Sequence, residues 1–270
     1  MGDADDALSA PRAEAPEGAA RAGTFEVALP RGLVRYRDLG ATSSPDEKRL
    51  LFLHGLGHDA AHWDDLLELL ALRQRVIAPD LAPDAEGRGL SLQALGEQVV
   101  DLVAAIGVGR VTLVGHDSGA ALALLVATEW PEFVERLVLI APPILPRRAH
   151  VEERLALLPL VGRALFRRGL GRLVLRRRGA AGKVDETTLP LLRETTERAA
   201  LFARLPRVRC PTMLVFGRKD RIEPWTHGQR LVRELPSARL EVVEGGHCPA
   251  EEDPDRLAEL IERFLREARA

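Results

Sequence analysis

A reactive side chain is indicated by the stretch GHDSG, residues 115–119, which lies between a short apolar run and a run rich in Ala and Leu. This small-x-nucleophile-x-small pattern is typical of a sharp turn from a strand into a helix, with the middle residue presented to substrate. Asp117 holds the middle position. If Ser118 held it, the large His116 would fill a flanking position that needs a small residue. The pattern places Asp117 rather than Ser118 at the reactive position, and by itself it supports an acidic helix N-cap equally well.

Two further stretches contain partners for such a nucleophile. LVFGRKDRIEP places Asp220 just after an apolar run, and VVEGGHCPAEEDP places His247 in a loop after the next one. Nucleophile, acid and histidine then follow one another in the chain order of one known type of catalytic triad. The plainer interpretations are a carboxylate that caps the following helix and a solvated loop histidine. The order of the pieces favours the triad Asp117, Asp220 and His247.

A third motif, HGLG, follows another apolar run and contains Leu56. After such a turn the backbone N–H of Leu56 is expected to point at the site, as does that of Ser118 after the nucleophile. Two donors of this kind form an oxyanion hole, which stabilises the negative oxygen of a tetrahedral intermediate. The sequence therefore predicts Leu56 and Ser118 as backbone donors.

Other chemistry-bearing residues near these motifs are interpreted as structural. His58 and His62 could each face the site, but we expect them to be solvated, because histidines in loops and on helix surfaces usually are. The remaining candidates are expected to pack rather than to react, and they are His116, Cys248, Trp63 and Trp225.

The elements that position these residues alternate along the chain from Thr24 onward. Short apolar runs predict strands, and longer stretches between them have helical periodicity. One such helix, SLQALGEQVVDLVAAIG, has a serine N-cap and a glycine stop. Strands separated by helices pair in parallel through crossover connections. The predicted fold class is α/β, a mostly parallel twisted sheet with helices on both faces, opened by the strand pair TFEVAL and LVRYRDLG.

The chain is predicted to have three parts. Residues 1–23 are acidic and rich in Ala and Pro, which indicates a disordered tail. Residues 24–145 and 207–270 form the α/β core. Residues 146–206 interrupt it as an inserted helical cap.

The predicted cap is strongly basic, with eleven Arg or Lys against two acidic residues between Arg147 and Lys183. Such arginines usually form a solvated outer face. The alternatives are attraction of anionic substrates and contact with a phospholipid surface. Leucines interleaved with the arginines favour a medium-sized apolar substrate.

Composition excludes several classes of function. The 270 residues are 46% hydrophobic and 29% charged, and the net charge of −2 gives no general attraction to nucleic acid or membrane. Two cysteines make no disulfide framework, so a reducing, cytoplasmic setting fits best. No stretch approaches the ~20 apolar residues of a membrane span. Phosphate-loop, dinucleotide and metal motifs are missing. We therefore expect a small-molecule substrate, no cofactor and no metal, and the sequence carries no signal for the oligomeric state.

Together, GHDSG, HGLG and the ordered Asp220 and His247 resemble the α/β-hydrolase superfamily from about Thr24 to the C-terminus, with the cap as the divergent part. Aspartate at the nucleophile position resembles the haloalkane dehalogenase and epoxide hydrolase branch. That resemblance implies that Asp117 attacks an sp³ carbon and forms an alkyl-enzyme ester. His247, oriented by Asp220, then activates the water that hydrolyses this ester.

Several residues depart from both members of that branch. Epoxide hydrolases of this fold use cap tyrosines, whereas the only tyrosine here is Tyr36 on an early strand. Haloalkane dehalogenases usually have Trp after the nucleophile, where this chain has Ser118, and a residue followed by Pro after His-Gly, where it has Leu56 and Gly57. Fluoroacetate-type dehalogenases have arginines just after the nucleophile, and SGAALAL has none. The HGLG turn instead resembles the esterase and C–C hydrolase branch.

Three functions remain open at this point. The leading one is a hydrolase that uses Asp117 in a covalent mechanism on a small to medium apolar substrate. The second is a non-hydrolytic enzyme of the same fold, of lyase or isomerase type, with Asp117 as acid or base. The third is a non-catalytic ligand-binding module, against which the intact pair of Asp220 and His247 argues.

Overall fold

The computed structural model describes residues 21–40, 48–81, 91–146, 150–159, 161–177, 188–196 and 198–267. The predicted tail over residues 1–23 is wrong at its end, because residues 21–23 already belong to the first strand. They pair with the far end of the second strand, and this pairing supplies the backbone partners that a tail lacks. Residues 1–20 lie outside the described part of the chain.

Eight strands form one sheet in the order β1-β2-β4-β3-β5-β6-β7-β8. The strands are β1 Arg21–Leu29, β2 Gly32–Gly40, β3 Arg49–Leu53, β4 Arg75–Pro79, β5 Val111–His116, β6 Val134–Ile140, β7 Thr212–Gly217 and β8 Ala238–Val243. β1 and β2 are an antiparallel hairpin, and β2 pairs antiparallel with β4. The pairings from β4 to β8 are parallel. The predicted opening strand pair and mostly parallel sheet are confirmed.

The helices lie between the strands along the chain. They are α1 Asp64–Ala71, α2 Leu92–Ala105, α3 Ser118–Glu129, α4 Val151–Ala156, α5 Gly162–Leu165, α6 Gly171–Arg177, α7 Leu189–Thr196, α8 Ala199–Phe202, α9 Trp225–Glu234, α10 Pro249–Glu252 and α11 Pro254–Arg266. Short 3₁₀ turns span Ala60–Trp63, Pro131–Phe133 and Leu205–Arg207, and a π-helical turn spans Phe166–Leu170. The predicted caps of α2 are confirmed, because Ser91 accepts from the backbone N–H of Ala94 and Gly107 has φ 67°.

Helices cover both faces of the sheet because strand side chains alternate in direction. In β3, Leu50 and Phe52 belong to a core shared with α1 and α11. Leu51 and Leu53 point the other way, into a core shared with α2 and α3. Strands such as β4, β5 and β7 are buried along their whole length, as expected for parallel strands covered on both sides. The carboxyl ends of β5, β7 and β8 therefore form a rigid edge on which a site can be built.

The described parts of the segment between β6 and β7 are mostly helical, from α4 to α8. Phe166, Val174 and Leu175 of this segment join the core on the α2 and α3 side. Its arginines, by contrast, face solvent wherever their side chains are described between residues 150 and 176. The segment is thus amphipathic, with an apolar face on the core and a basic face outward. In the described residues, no helix has both the length and the apolar character needed to cross a bilayer.

Candidate active site

Asp117 lies in the turn between β5 and α3 with a strained backbone. Its φ of 48° and ψ of −119° put an ordinary side chain in a region that favours glycine. The flanking glycines allow this geometry: a Cβ on Gly115 would stand 2.3 Å from the carbonyl oxygen of Gly119, and one on Gly119 would stand 2.0 Å from that of Leu53. The carboxylate is 2% exposed and makes no cap bond to α3. The plainer reading of Asp117 as a helix N-cap therefore does not describe its side chain.

Asp220 and His247 meet at the carboxyl ends of β7 and β8. The Nδ1 of His247 lies 2.8 Å from Asp220 Oδ2, and both side chains are buried. A carboxylate only accepts hydrogen bonds, so Nδ1 carries the proton and Nε2 is the nitrogen left for chemistry. The other carboxylate oxygen, Oδ1, accepts from the backbone N–H of Ile222 at 2.7 Å and of Glu223 at 3.0 Å. These bonds fix the acid before it orients the histidine.

The loop that carries His247 is held at three points. The Glu252 carboxylate accepts from the backbone N–H of Gly246 and, at 3.1 Å, from that of Cys248. The carbonyl oxygen of His247 itself lies 2.8 Å from the Nε2 of His116, which therefore donates. These bonds fix the backbone on both sides of His247, so the position of its imidazole is already set.

The HGLG turn is held by hydrogen bonds of its first residue. The Nδ1 of His54 lies 3.0 Å from the carbonyl oxygen of Gly55, and its Nε2 accepts from the backbone N–H of Leu81 at 3.0 Å. Burial lowers the pKa of His54, which keeps the ring neutral for this double role. Leu56 and Ser118 are buried, and the described residues provide no acceptor for either backbone N–H. Both donors remain available to a ligand.

Three further histidines converge beside His247, and the expectation that His58 and His62 are solvated is wrong. The side chain of His58 is 7% exposed, and the whole of His62 is 6% exposed. The ring of His62 stacks on that of His116, with 4.8 Å between centroids, and lies 4.2 Å from that of His58. Burial lowers the pKa of His58 and His116 and lowers the pKa of His62 to about 2, so all three rings are neutral at neutral pH.

The remaining candidates agree with their expected structural roles. Trp63 is fully buried against Phe52, with 5.2 Å between ring centroids, and Cys248 is buried. Trp225 is partly buried and packs against the core.

The sequence did not predict the residues that hold the loops of Asp220 and His247 in place. Glu252 and His116 hold the His247 loop, and Glu223 forms a buried ion pair with Arg198 of the helical segment. Each contact joins residues far apart in the chain, so no short motif contains it. The signal that the sequence offered was the number of polar residues close to the motifs, such as Glu251 and Glu252 after His247.

Comparisons with known proteins concern the family and the fold of the chain. The model of the alpha/beta hydrolase family matches residues 50–260. An uncharacterised protein of Mycobacterium tuberculosis is 30% identical over 254 residues, covering 80% of this chain and 74% of its own. A protein of Stutzerimonas stutzeri with the provisional name carbamate hydrolase RutD is 25% identical, covering 85% of this chain and 96% of its own. The solved structure of the enol-lactonase from Burkholderia xenovorans LB400 has a TM-score of 0.72 at 18% identity, covering 90% of this chain and 100% of its own. That last likeness concerns the fold alone.

Proposed function

Because the chain belongs to the alpha/beta hydrolase family and is a hydrolase, we propose that Asp117 is its nucleophile and forms a covalent ester with a small to medium apolar substrate. The observation that carries this proposal is the strained backbone of Asp117 at the end of β5. Such strain persists only where the surrounding structure imposes it, and it concentrates at functional sites. Here it presents a carboxylate, with no cap bond to the helix, at the edge of the sheet where ligands of this fold class bind.

In the first step, one carboxylate oxygen of Asp117 attacks an sp³ carbon of the substrate. The new C–O bond forms as the bond from that carbon to the leaving group breaks, and the leaving group takes the electron pair. A carboxylate needs no general base for this attack, in contrast to a serine hydroxyl. The proposal therefore favours substrates such as haloalkanes, epoxides and β-lactones over ordinary esters, whose attack would give a labile mixed anhydride.

In the second step, His247 Nε2 takes a proton from water and the resulting hydroxide adds to the carbonyl carbon of the Asp117 ester. The backbone N–H groups of Leu56 and Ser118 stabilise the negative oxygen of the tetrahedral intermediate. Collapse breaks the bond between the carbonyl carbon and the Asp117 oxygen that had attacked the substrate. That oxygen takes the proton from His247 and leaves as the hydroxyl oxygen of the product alcohol. Asp117 is regenerated with one oxygen that came from water, while Asp220 stabilises the positive charge on the histidine throughout.

We further propose that residues 146–206 act as a cap over this site. Support comes from Leu175 of α6, which packs so closely on the HGLG turn that a Cβ on Gly57 would stand 2.4 Å from its Cδ2. The predicted oxyanion turn and the helical segment are thus in direct contact. Apolar residues on the inner face of the segment favour an apolar substrate.

A lipid surface is a second proposed partner, and the exposed face of the same segment supports it. Large apolar side chains between 37% and 66% exposed lie along it, namely Val151, Leu155, Leu158, Val161, Leu165 and Leu173. Exposed arginines alternate with them, namely Arg154, Arg163, Arg167, Arg168, Arg172 and Arg176. Between residues 150 and 176 the acidic residues are Glu152 and Glu153, and both are buried. Apolar side chains among cations, with no exposed carboxylate, suit an anionic membrane surface.

The nucleophile is tested with purified protein on one panel of haloalkanes, epoxides, β-lactones and p-nitrophenyl esters. We expect turnover of a substrate with an sp³ electrophile, lost in Asp117→Ala by at least ~10³-fold. The matched control is Ser118→Ala, which removes the neighbouring hydroxyl but keeps its backbone N–H. Turnover that survives in Asp117→Ala and is lost in Ser118→Ala would overturn the assignment.

A second experiment separates a nucleophile from a general base. In single-turnover conditions in H₂¹⁸O, we expect the label to appear first in the peptide that contains Asp117, because water attacks the enzyme ester. In His247→Gln the ester should accumulate and raise the intact mass by that of the alkyl group. Label that enters only the product, with no adduct in His247→Gln, would favour acid–base chemistry at Asp117 over covalent catalysis.

A further inference from the structure

We propose that His58, His62 and His116 form a binding site for a divalent transition metal ion of the zinc class beside the catalytic triad. The three residues each present one ring nitrogen, and these nitrogens lie within 4.8 Å of one another. His58 and His62 come from the loop and 3₁₀ turn after β3, and His116 comes from the end of β5. His116 comes from a distant part of the chain, so only the tertiary structure brings the three histidines together.

Hydrogen bonds on the far side of two of these rings fix which nitrogen faces the centre. The Nδ1 of His62 lies 2.7 Å from Glu251 Oε1, and the Nε2 of His116 lies 2.8 Å from the carbonyl oxygen of His247. Both partners only accept hydrogen bonds, so each of these nitrogens carries the proton. The opposite nitrogens, Nε2 of His62 and Nδ1 of His116, are therefore bare lone pairs.

The inward nitrogens have nothing in the described protein to bond with. Nε2 of His58, Nε2 of His62 and Nδ1 of His116 are all buried and have no hydrogen-bond partner among the described residues. A buried polar atom without a partner destabilises the folded state, so three together call for a common ligand.

The donor set selects the class of metal. Neutral imidazole nitrogens suit zinc, cobalt, nickel and copper, whereas magnesium and calcium require oxygen ligands. Three histidines with one open position match the ligand count of a catalytic-type zinc site. In a tetrahedral site with Zn–N bonds of about 2.0–2.1 Å, the ligand nitrogens stand ~3.3 Å apart. Binding therefore requires the rings to move inward and the stacked rings of His62 and His116 to tilt, so that their in-plane lone pairs converge on the ion.

The outer contacts also have the pattern of a metal site. Metal-bound histidines usually donate their other N–H to a carboxylate or a backbone carbonyl, which orients the ring and strengthens the ligand. Glu251 serves His62 in this way, and the carbonyl of His247 serves His116. Burial lowers the pKa of His58, and the carboxylates of Glu251 and Asp117 oppose that lowering, so they add negative charge that a buried dication needs.

This site would act on the triad through His116. A metal ion that fixes the Nδ1 of His116 also fixes its Nε2, whose hydrogen bond holds the backbone of His247. We assign His116 the role of a positioning residue, with no contact to the substrate. The inference does not depend on the proposed reaction, since metal binding is measured without a substrate.

The test uses the full chain stripped with a chelator and then titrated with Co²⁺ and Zn²⁺. We expect one ion per chain, the visible absorption bands of four-coordinate cobalt with nitrogen ligands, and a rise in melting temperature of roughly 5–10 °C at saturating zinc. His58→Ala and His62→Ala should each weaken binding by at least ~100-fold, and Glu251→Gln by ~10–100-fold.

His227→Ala provides the matched control, because it removes a histidine of α9 that lies outside the cluster. It should leave the affinity unchanged. Circular dichroism on every variant distinguishes loss of a ligand from loss of the fold, and Glu251→Gln keeps all three ligands. Binding of less than a tenth of an equivalent to wild type overturns the proposal, as does affinity that survives in His58→Ala and His62→Ala. In either case a bridging water, rather than a metal, occupies the centre.

Discussion

Asp117 and Ser118 are adjacent, and the backbone alone decides which of them is presented for chemistry. Gly115 and Gly119 allowed Asp117 to be assigned to this position from the sequence, because a tight turn leaves no room for a Cβ at either of them. Chain order alone also predicted Asp220 and His247 as a pair, and the structure brings them into hydrogen-bond contact. The catalytic roles of these residues stay proposals until the nucleophile is tested.

The tight packing at the turn gives a stability prediction for Gly119→Ala. A Cβ there would stand 2.0 Å from the carbonyl oxygen of Leu53, and β3 cannot move away without breaking its pairing with β5. We expect a loss of about 3 kcal/mol or more in the free energy of unfolding, measured by urea denaturation.

The matched control for that change is Gly107→Ala, at a site with φ 67° and no atom within 4 Å of the added Cβ. It should cost only ~1 kcal/mol, from the positive φ alone. Equal losses in the two variants would show that space at Gly119 does not limit the turn.

The thiol of Cys248 lies next to His247, the proposed general base, and we predict that it is unreactive. Burial raises the pKa of Cys248 to about 12, so at pH 8 it holds roughly three orders of magnitude less thiolate than a free cysteine. The Cys210→Ser variant leaves Cys248 as the only thiol, because the chain has two cysteines. Ellman's reagent should label this variant slowly until urea is added. If the folded variant is labelled as fast and as completely as a free cysteine, the result would contradict the burial of Cys248.

At the scale of elements, a buried ion pair joins the helical segment between β6 and β7 to the loop after β7 that contains Asp220 and Glu223. Arg198 donates to both carboxylate oxygens of Glu223, and neither side chain is exposed. The backbone N–H of Glu223 in turn donates to Asp220. The apolar runs predicted the strands and most helices, since their periodicity is local. They could not predict this link, because residue 198 has no neighbour in sequence that indicates its partner.

We predict that Arg198→Met lowers both stability and turnover. Removing one partner leaves a buried charge on Glu223, which costs about 3–5 kcal/mol in the free energy of unfolding. The freed carboxylate also shifts the loop that positions Asp220, and a displacement of ~1 Å there can lower turnover by up to ~100-fold. Urea denaturation and steady-state kinetics on the best substrate of the panel measure the two effects.

A second buried pair separates these effects. Arg75 donates to both oxygens of Asp38 at 3.0 and 2.8 Å, linking β4 to β2 away from the site. Arg75→Met should reduce stability by a similar amount and leave turnover unchanged. If both variants lose turnover equally, the Arg198 pair supports the fold and does not position Asp220.

The double change of Arg198→Met with Glu223→Leu should regain stability, since the unpaired charge is gone.

Over the whole molecule, the net charge of −2 conceals an uneven distribution. Basic residues concentrate on the outward face of the segment between β6 and β7, together with exposed leucines and valines. Composition predicted no attraction to membranes, because it averages over the chain. The spacing of arginines and leucines did indicate an amphipathic surface, but only the packing of α4 to α6 on the core establishes which side chains point outward.

If that face binds anionic lipid, the full chain should cosediment with phosphatidylglycerol vesicles and not with phosphatidylcholine vesicles, and binding should weaken as salt rises. Each replacement of an exposed arginine by Gln, such as Arg168→Gln or Arg172→Gln, removes ~1 kcal/mol of binding free energy, about a fivefold loss of affinity.

Leu165→Glu combined with Leu173→Glu should abolish binding, because it removes apolar surface that inserts into the membrane and adds negative charge that the anionic lipid repels. Leu72→Glu is the matched control, since Leu72 is 80% exposed but lies between α1 and β4. Equal binding to both vesicle types would overturn the lipid assignment, and self-association abolished by the paired leucine change would identify the face as a dimer interface instead.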